Sequence, residues 1–223
     1  MSIILPVRNQ EQEINANFPK IFEYIKKYSA EVIIVESGST DGSVRSIRNL
    51  SKRYKFRFMQ TDALGKGMAL RTGIIAAQGD IIGYLDTDLA VPLKYIPGAV
   101  AKISAGCDIV IGNRYKKTSH AKRKLGRYIE SKAYIYLIRL LYRSRITDFQ
   151  CGFKFFRADF LKANLNKVED NRWFFDTKLV LLAEKQGRRI CQLPVEFADT
   201  ERSTVSSKDV FYFIKQTFTD RFT

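Results

Sequence analysis

Two carboxylates one residue apart, Asp86 and Asp88, close an apolar run that begins at Asp80 (DIIGYLDTD). Like charges at that spacing repel, so they need a cation, a set of hydrogen-bond donors or a shared proton. Hard carboxylate oxygens suit Mg²⁺ or Mn²⁺, and such an ion keeps positions open for the oxygens of a diphosphate. The alternative is a solvated pair of loop acids, or a cap for the helix expected after Pro92. Basic groups flank the pair along the chain. Gly65-Lys66-Gly67 sets a lysine at a helix start between two glycines, where backbone can approach an anion closely. The same three residues read equally as a turn, and no G-x-x-x-x-G-K-[ST] loop is present. Arg114 ends another apolar run, DIVIGNR.

Short apolar runs at Ser2 to Val7, Glu31 to Val35, Phe56 to Met59, Asp80 to Leu85, Asp108 to Ile111 and Arg189 to Phe197 predict strands. Helical spacing separates the first of them: Ile14, Phe18, Ile21, Phe22 and Ile25, then a stretch to about Tyr54, Met68 to Ala77, and Pro92 to Ser104. Pro19 predicts a kink in the first helix or a later start. This alternation predicts an α/β fold, a mostly parallel sheet with helices on both faces. Ligands of such sheets bind beyond the carboxyl ends of the strands, which is where Asp86, Asp88 and Arg114 fall.

The second half is more basic. Lys116, Lys117, Lys122, Arg123, Lys124 and Arg127 precede a helix from about Gly126 to Tyr142. Ile129, Ala133, Leu137 and Leu140 share one side of it, and Lys132, Arg139 and Arg143 an adjoining side. It reads as a core helix with a solvated basic face, or as a helix on an anionic membrane. DFQCGFK leads into a strand ending near Arg157, and a helix from Arg172 to Gln186 carries Asp176. Phe211, Ile214, Phe218 and Phe222 predict an amphipathic terminal helix, packed on the core or touching membrane.

With 223 residues, 38 Lys+Arg against 23 Asp+Glu and a net charge of +15, the chain is one domain suited to an anionic partner. Nucleic acid would leave the paired acids at a strand end unexplained. One histidine, His120, excludes a His-based triad or a His-rich metal site. Cys107, Cys151 and Cys191 are odd in number and widely spaced, which predicts a reducing compartment and argues against a disulfide framework or a zinc cluster. No leader segment and no apolar run near the ~20 residues of a membrane span is present, so the chain is expected to be soluble or peripheral.

Seven motifs stand in one order: SIILPVRNQ, EVIIVESGSTDGS, GKGMALRTGIIAAQGD, DTDLAVP, GNRY, DFQCGFKFF and WFFDTKLVLLAEKQG. Over about residues 2 to 208 the chain resembles family 2 glycosyltransferases with a GT-A (Rossmann-like) fold. Within them it is most similar to the polyprenyl-phosphate sugar transferases of the dolichyl-phosphate glucosyl and mannosyl type. The resemblance implies one GT-A domain over residues 1–223, with a nucleotide-sugar-binding half (1–114), an acceptor half (115–208) and an amphipathic terminal helix (209–223). It implies a nucleotide-sugar site of Pro6, Arg8, Gln10, Glu36, Ser37, Lys66, Asp86, Thr87, Asp88 and Arg114. Ser37 stands where the family usually carries an aspartate that touches the base. Ala90 stands where mannosyl members often carry a glutamine, and DTDLAVP is closer to the glucosyl type. Asp86 and Asp88 would hold Mg²⁺ or Mn²⁺, with Asp88 the principal ligand and a catalytic residue. Asp176 would orient acceptor or sugar, unless it caps its helix or serves as a structural ion-pair partner. Arg127, Arg202 and Lys208 would meet the acceptor phosphate.

The implied reaction is inverting transfer of a hexose, glucose favoured, from UDP-glucose or GDP-mannose to a polyprenyl (dolichyl) phosphate. It would run at the cytoplasmic face of a membrane, with the chain peripheral on an anionic surface and no nucleic-acid partner. A second reading is a family 2 enzyme with a non-lipid hydroxyl acceptor such as a polysaccharide. That chemistry needs a general base, for which Asp176 is the candidate.

Overall fold

In a computed structural model of the protein, residues 1–122, 125–199, 212 and 214–219 are described. The first half alternates strand and helix: β1 (Ser2–Val7), α1 (Glu11–Lys26), β2 (Glu31–Glu36), α2 (Ser43–Ser51), β3 (Arg57–Gln60), α3 (Lys66–Ala76), β4 (Ile81–Leu85), α4 (Ile96–Ser104) and β5 (Ile109–Asn113). The second half contributes β6 (Ala121–Lys122), α5 (Leu125–Tyr142), β7 (Phe153–Arg157), α6 (Ala158–Asn164), α7 (Phe175–Lys185), β8 (Ile190–Pro194) and β9 (Phe197–Ala198). Residues 212 and 214–219 are helical, and α6 was not expected.

Among the described residues, seven strands form one sheet in the order β3-β2-β1-β4-β7-β5-β8. β7 runs antiparallel to both neighbours and the other pairings are parallel. The expected mostly parallel sheet is therefore present, with one reversed strand from the second half inserted between β4 and β5. Side chains alternate across the pleat. Ile3, Leu5, Ile34, Val110, Phe153 and Phe155 pack with Ile14, Phe18, Ile21, Ile47, Ile96 and Ile103 of α1, α2 and α4. Ile4, Val35, Tyr84, Ile109 and Phe156 pack on the opposite face with Leu70, Ile74, Ile138, Phe160 and Leu179 of α3, α5, α6 and α7. Helices thus cover both faces, and six parallel strands aim their carboxyl ends at one edge.

Three sequence expectations change. α1 runs through Pro19 rather than starting after it, because its buried stripe (Ile14, Phe18, Ile21, Ile25) continues on both sides. The last strand is two pieces: β8 stays in the large sheet and β9 leaves it to pair with β6. The cysteines are not all unpaired: Cys107 and Cys191 form a disulfide, and the buried Cys151 is free. Eighty-four residues separate the pair, and only the parallel pairing of β5 with β8 brings them together.

α5 also turns differently. Tyr134, Ile135 and Ile138 face the core, whereas Ile129 and Leu140 are exposed together with Leu125, Tyr128 and Tyr136. The apolar side read from the sequence is largely the outward side. Arg139 and Arg143 join Tyr136, Leu140 and Ser144 around a shallow groove there.

Candidate active site

β4 ends at Leu85, and Asp86-Thr87-Asp88 follow at the sheet edge. The peptide between the two acids is clamped. The Thr87 carbonyl accepts from Asn17 Nδ2 at 3.0 Å, and its hydroxyl donates to Gln10 Oε1 at 2.9 Å. Leu89 then takes a left-handed φ of 53° to turn the chain, while Ala90 N donates to Asp88 Oδ1 at 3.0 Å. Asp86, Asp88, Ala90, Gly152 and Phe197 line one small depression.

Gly152 explains how that depression closes. Its carbonyl accepts from Asp86 N at 3.1 Å. A Cβ on Gly152 would lie 1.7 Å from Asp86 Oδ2, so glycine lets the DFQCGFK segment cross without pushing the carboxylate aside.

The other Asp86 oxygen accepts from Lys66 Nζ at 2.8 Å. Lys66 is also 3.8 Å from Asp176 Oδ2. Asp176, in the first turn of α7, accepts from Lys154 Nζ at 2.8 Å and from the Tyr84 hydroxyl. Burial opposes the charge on both partners. For Asp176, the ammonium groups of Lys154 and Lys66 and the hydrogen bonds outweigh it and hold the carboxyl below its ordinary range. For Lys66, Asp86 and Asp176 outweigh it and hold the ammonium above its ordinary range. Asp176 does not cap α7: Asp170 Oδ1 accepts from Phe175 N and does that work.

At the Gly65-Lys66-Gly67 turn two of the amides at the start of α3 are taken by protein carbonyls. Gly67 N and Met68 N donate to the Arg172 and Asn171 carbonyls at 3.0 and 2.9 Å. The glycines serve this packing, since a Cβ at Gly65 would come 2.2 Å from the Asn171 carbonyl oxygen. Of the two readings of this turn, the close backbone approach is to protein, and the lysine side chain alone reaches the carboxylates.

Arg114, past the end of β5, makes a bidentate pair with Asp148 (Nε and Nη2, 2.7 Å each), which also accepts from Arg114 N. Burial would raise the Asp148 carboxyl, but the guanidinium holds it below the usual range. Arg114 is therefore half committed to a protein carboxylate and keeps Nη1 for anything else.

At the ends of β1 and β2, Pro6 is buried in the strand and Arg8 is exposed. Asn9 at φ 50° accepts from Thr40 N and its own N donates to Ser39 Oγ. Glu36 is buried and accepts from Ser39 N and Gln60 Nε2. It shapes the Ser37–Asp41 loop, with Ser37 buried beside it. Arg127 stands half-buried in the first turn of α5. Arg202 and Lys208 lie outside the described residues. So Gln10, Lys66, Asp86, Thr87, Asp88 and Asp176 meet in one connected cluster, Glu36, Ser37 and Arg114 stand along the same edge, and Arg127 belongs to the second half.

Sequence reasoning missed Lys154, Tyr84, Asp148 and Gly152. The signal for Lys154 was present: a lone charge inside the apolar strand FKFF.

Among the described residues no three or more His, Cys, Asp or Glu gather as a metal cluster. Asp86 and Asp88 nonetheless fit a hard divalent ion. Both carboxylates reach one depression, the Asp86 side chain is 39% exposed, and an ion sharing a diphosphate needs only one or two protein carboxylates.

Residues 2–165 match the family model described as glycosyl transferase family 2. The chain is 33% identical over 204 residues to glycosyltransferase AglD of Haloferax volcanii, covering 88% of this chain and 33% of AglD; it spans about a third of that relative's length. It is 28% identical over 229 residues to the dolichyl-phosphate beta-glucosyltransferase of Drosophila melanogaster, covering 92% of this chain and 69% of the fly protein. Among solved structures, glucosyl-3-phosphoglycerate synthase of Mycobacterium tuberculosis with Mn²⁺, UDP and glucosyl-3-phosphoglycerate aligns with a TM-score of 0.69 at 18% identity, over 99% of this chain and 78% of the other.

Proposed function

The chain belongs to glycosyl transferase family 2, and on that premise we propose that it transfers glucose, with inversion, from a nucleotide-sugar to a polyprenyl phosphate of the dolichyl type. Relatives named dolichyl-phosphate beta-glucosyltransferase support this choice of sugar and acceptor. The observation that carries it is the state of Asp176. It is buried, accepts from Lys154 and Tyr84 and faces Lys66, so protein donors and cations occupy its oxygens and hold the carboxyl below its ordinary range, which makes it a poor base. A hydroxyl acceptor would need a base there. A phosphate acceptor is already an anion and needs none, so the polysaccharide reading is the weaker one.

In this reading residues 1–114 hold the donor, 115–208 the acceptor, and 209–223 are the terminal segment. Pro6, Arg8, Gln10, Glu36 and Ser37 border the nucleotide. Lys66 steadies Asp86, and Arg114 offers Nη1 to the diphosphate. Mg²⁺ or Mn²⁺ held by Asp88 and Asp86 would supply neutralisation of charge on the leaving diphosphate. Arg127, Arg202 and Lys208 orient the acceptor phosphate in line with the anomeric carbon. A phosphate oxygen forms the new bond to that carbon from the face opposite the departing diphosphate, and no proton has to be removed.

No helix of the described residues is long and apolar enough to cross a membrane. We place the chain peripherally on an anionic membrane through α5, whose outward face carries Leu125, Tyr128, Ile129, Tyr136 and Leu140 beside Arg139 and Arg143. The cytoplasmic face is part of the proposal, although the Cys107–Cys191 bond removes the cysteine argument for it.

The test is a donor screen with polyprenyl phosphate and Mg²⁺ or Mn²⁺. UDP-glucose should give glucosyl polyprenyl phosphate and GDP-mannose much less. Transfer to free sugars with none to the lipid phosphate would refute the acceptor assignment. Arg202→Ala and Lys208→Ala should raise KM for lipid phosphate more than for donor; equal effects would move them to the donor side. Co-sedimentation with liposomes containing anionic lipid should weaken in a Leu125→Ser/Ile129→Ser/Leu140→Ser variant, and unchanged binding would rule out the α5 face.

A further inference from the structure

Lys154 lies in β7, the reversed strand between β4 and β5, with no solvent exposure. Its neighbours Phe153, Phe155 and Phe156 are apolar and fully buried. A buried ammonium is costly unless paired, and an apolar side chain of similar volume is often as stable or more so. The charge therefore asks for a role beyond filling space.

Its contacts lead to the donor carboxylate by two routes. Lys154 Nζ donates to Asp176 Oδ1 at 2.8 Å, Asp176 Oδ2 faces Lys66 Nζ at 3.8 Å, and Lys66 donates to Asp86 Oδ1 at 2.8 Å. Lys154 also donates to the Cys151 carbonyl at 2.8 Å. Cys151 precedes Gly152, whose backbone accepts from Asp86 N and lies under Asp86 Oδ2. Tyr84, opposite Lys154 in the β4–β7 register, donates to the same Asp176 oxygen. Lys154 thus braces Asp86 from the lysine side and from the backbone side while lying away from the depression the two acids line.

We infer that Lys154 is a positioning residue for the donor site: it fixes Asp176, and through Lys66 and the Cys151–Gly152 backbone it fixes the orientation of Asp86. The inference rests on the proposed reading of Asp86 as part of a nucleotide-sugar site. Groups that orient a ligating carboxylate typically matter about 10–100-fold for affinity or activity.

The experiment compares wild type with Lys154→Met, Asp176→Asn, the double variant and Lys154→Arg. It measures UDP affinity by calorimetry with Mn²⁺, then kcat and KM for donor and for polyprenyl phosphate, with thermal unfolding as the check on folding. Lys154→Met should bind UDP about 10-fold more weakly and lose about 10–100-fold in kcat, with KM for polyprenyl phosphate unchanged. The double variant should be no worse than the poorer single one, because both act through Asp86. Lys154→Arg, which keeps the charge, should recover most of the UDP affinity. A folded Lys154→Met with wild-type UDP affinity and kcat would overturn the inference, as would additive losses in the double variant. Should Lys154→Met not fold, Tyr84→Phe decides: it removes one hydrogen bond to Asp176 at constant shape, and wild-type UDP affinity and kcat would overturn the inference. If wild type itself binds no nucleoside diphosphate, the donor-site reading fails instead.

Discussion

Gly152→Ala adds one methyl group against the Asp86 carboxylate. The new Cβ would lie 1.7 Å from Oδ2, 2.2 Å from Cγ and 2.7 Å from Oδ1. Ordinary carbon–oxygen contact begins near 3.4 Å, so something must move by well over an ångström. The backbone at 152 is held by its hydrogen bond from Asp86 N and by entry into β7, whereas the carboxylate ends a short side chain. The carboxylate swings, and the 2.8 Å bond from Lys66 breaks. A charge-assisted hydrogen bond is worth about 1.5–3 kcal/mol when buried. The Asp86 side chain is 39% exposed, which discounts it to about 1 kcal/mol. Lys66 keeps Asp176 as a partner. Stability should therefore fall little, about 2–4 °C in Tm for a chain of this size. Catalysis should fall much more, because a reacting geometry misplaced by about 1 Å costs on the order of 10²-fold. The assay is kcat/KM for glucosyl transfer beside thermal unfolding. A Gly152→Ala enzyme within about threefold of wild type, with Asp86→Ala inactive, would refute the account of this crossing, since a displacement of the kind expected costs on the order of 10²-fold.

Gly65→Ala should behave in the opposite way, because the obstacle is backbone: its φ is 130° and the Cβ would lie 2.2 Å from the Asn171 carbonyl oxygen. It should lose about 1–3 kcal/mol or more of stability in denaturant unfolding, and an unchanged midpoint would show that the turn has room. Asp148 carries an acid dependence. Its carboxyl is depressed in the folded state by Arg114, so its stabilisation is present above the unfolded carboxylate value of about 3.9 and is lost as pH falls below it through the folded value. Unfolding followed from neutral to acid pH should lose stability in that window. Asp148→Asn should lose about 3–5 kcal/mol at neutral pH by stranding buried Arg114, with a shallower acid decline; an unaltered acid profile would remove Asp148 from the account. Reducing the Cys107–Cys191 bond with a dithiol should cost about 2–4 kcal/mol, seen as a lower Tm and three titratable thiols in the unfolded chain against one before reduction.

What could be read from the sequence was what neighbours in the chain decide. The runs SIILPV, EVIIV and DIVI carry enough β-branched and apolar residues to mark strands, and Asp86 and Asp88 sit where ligands of a parallel sheet bind. The partners of those acids were not legible. β7 enters in reverse between β4 and β5, bringing Lys154 beside Tyr84 and Gly152 over Asp86 across some seventy residues of chain. Asp148 reaches Arg114 by the same insertion. Spacing says nothing about such contacts. A charge inside FKFF only announces that a partner must exist. α5 shows a different limit. It is apolar on two sides, Tyr134, Ile135 and Ile138 on one and Ile129 and Leu140 on the other, and periodicity selects a buried side only when the opposite one is polar.

The charges at the sheet edge bear on how two anionic substrates can be handled at once. Lys66 is matched by Asp86, Lys154 by Asp176, and Arg114 by Asp148. This network is neutral in sum. Beyond Arg8, exposed at the end of β1, and the Nη1 of Arg114, it has little positive charge to give an incoming diphosphate, and Asp88 adds a further negative charge. A divalent ion at Asp88 and Asp86 would remove that conflict, which is why the donor reading and the metal reading stand or fall together. The chain's surplus of +15 must then lie elsewhere. Much of it falls between Lys116 and Arg127 and at Arg139, Arg143, Arg202 and Lys208, in the half assigned to the acceptor. That division would suit the proposed donor, neutralised locally by an ion, and the proposed lipid-phosphate acceptor, drawn by an excess of basic charge whose attraction weakens with salt.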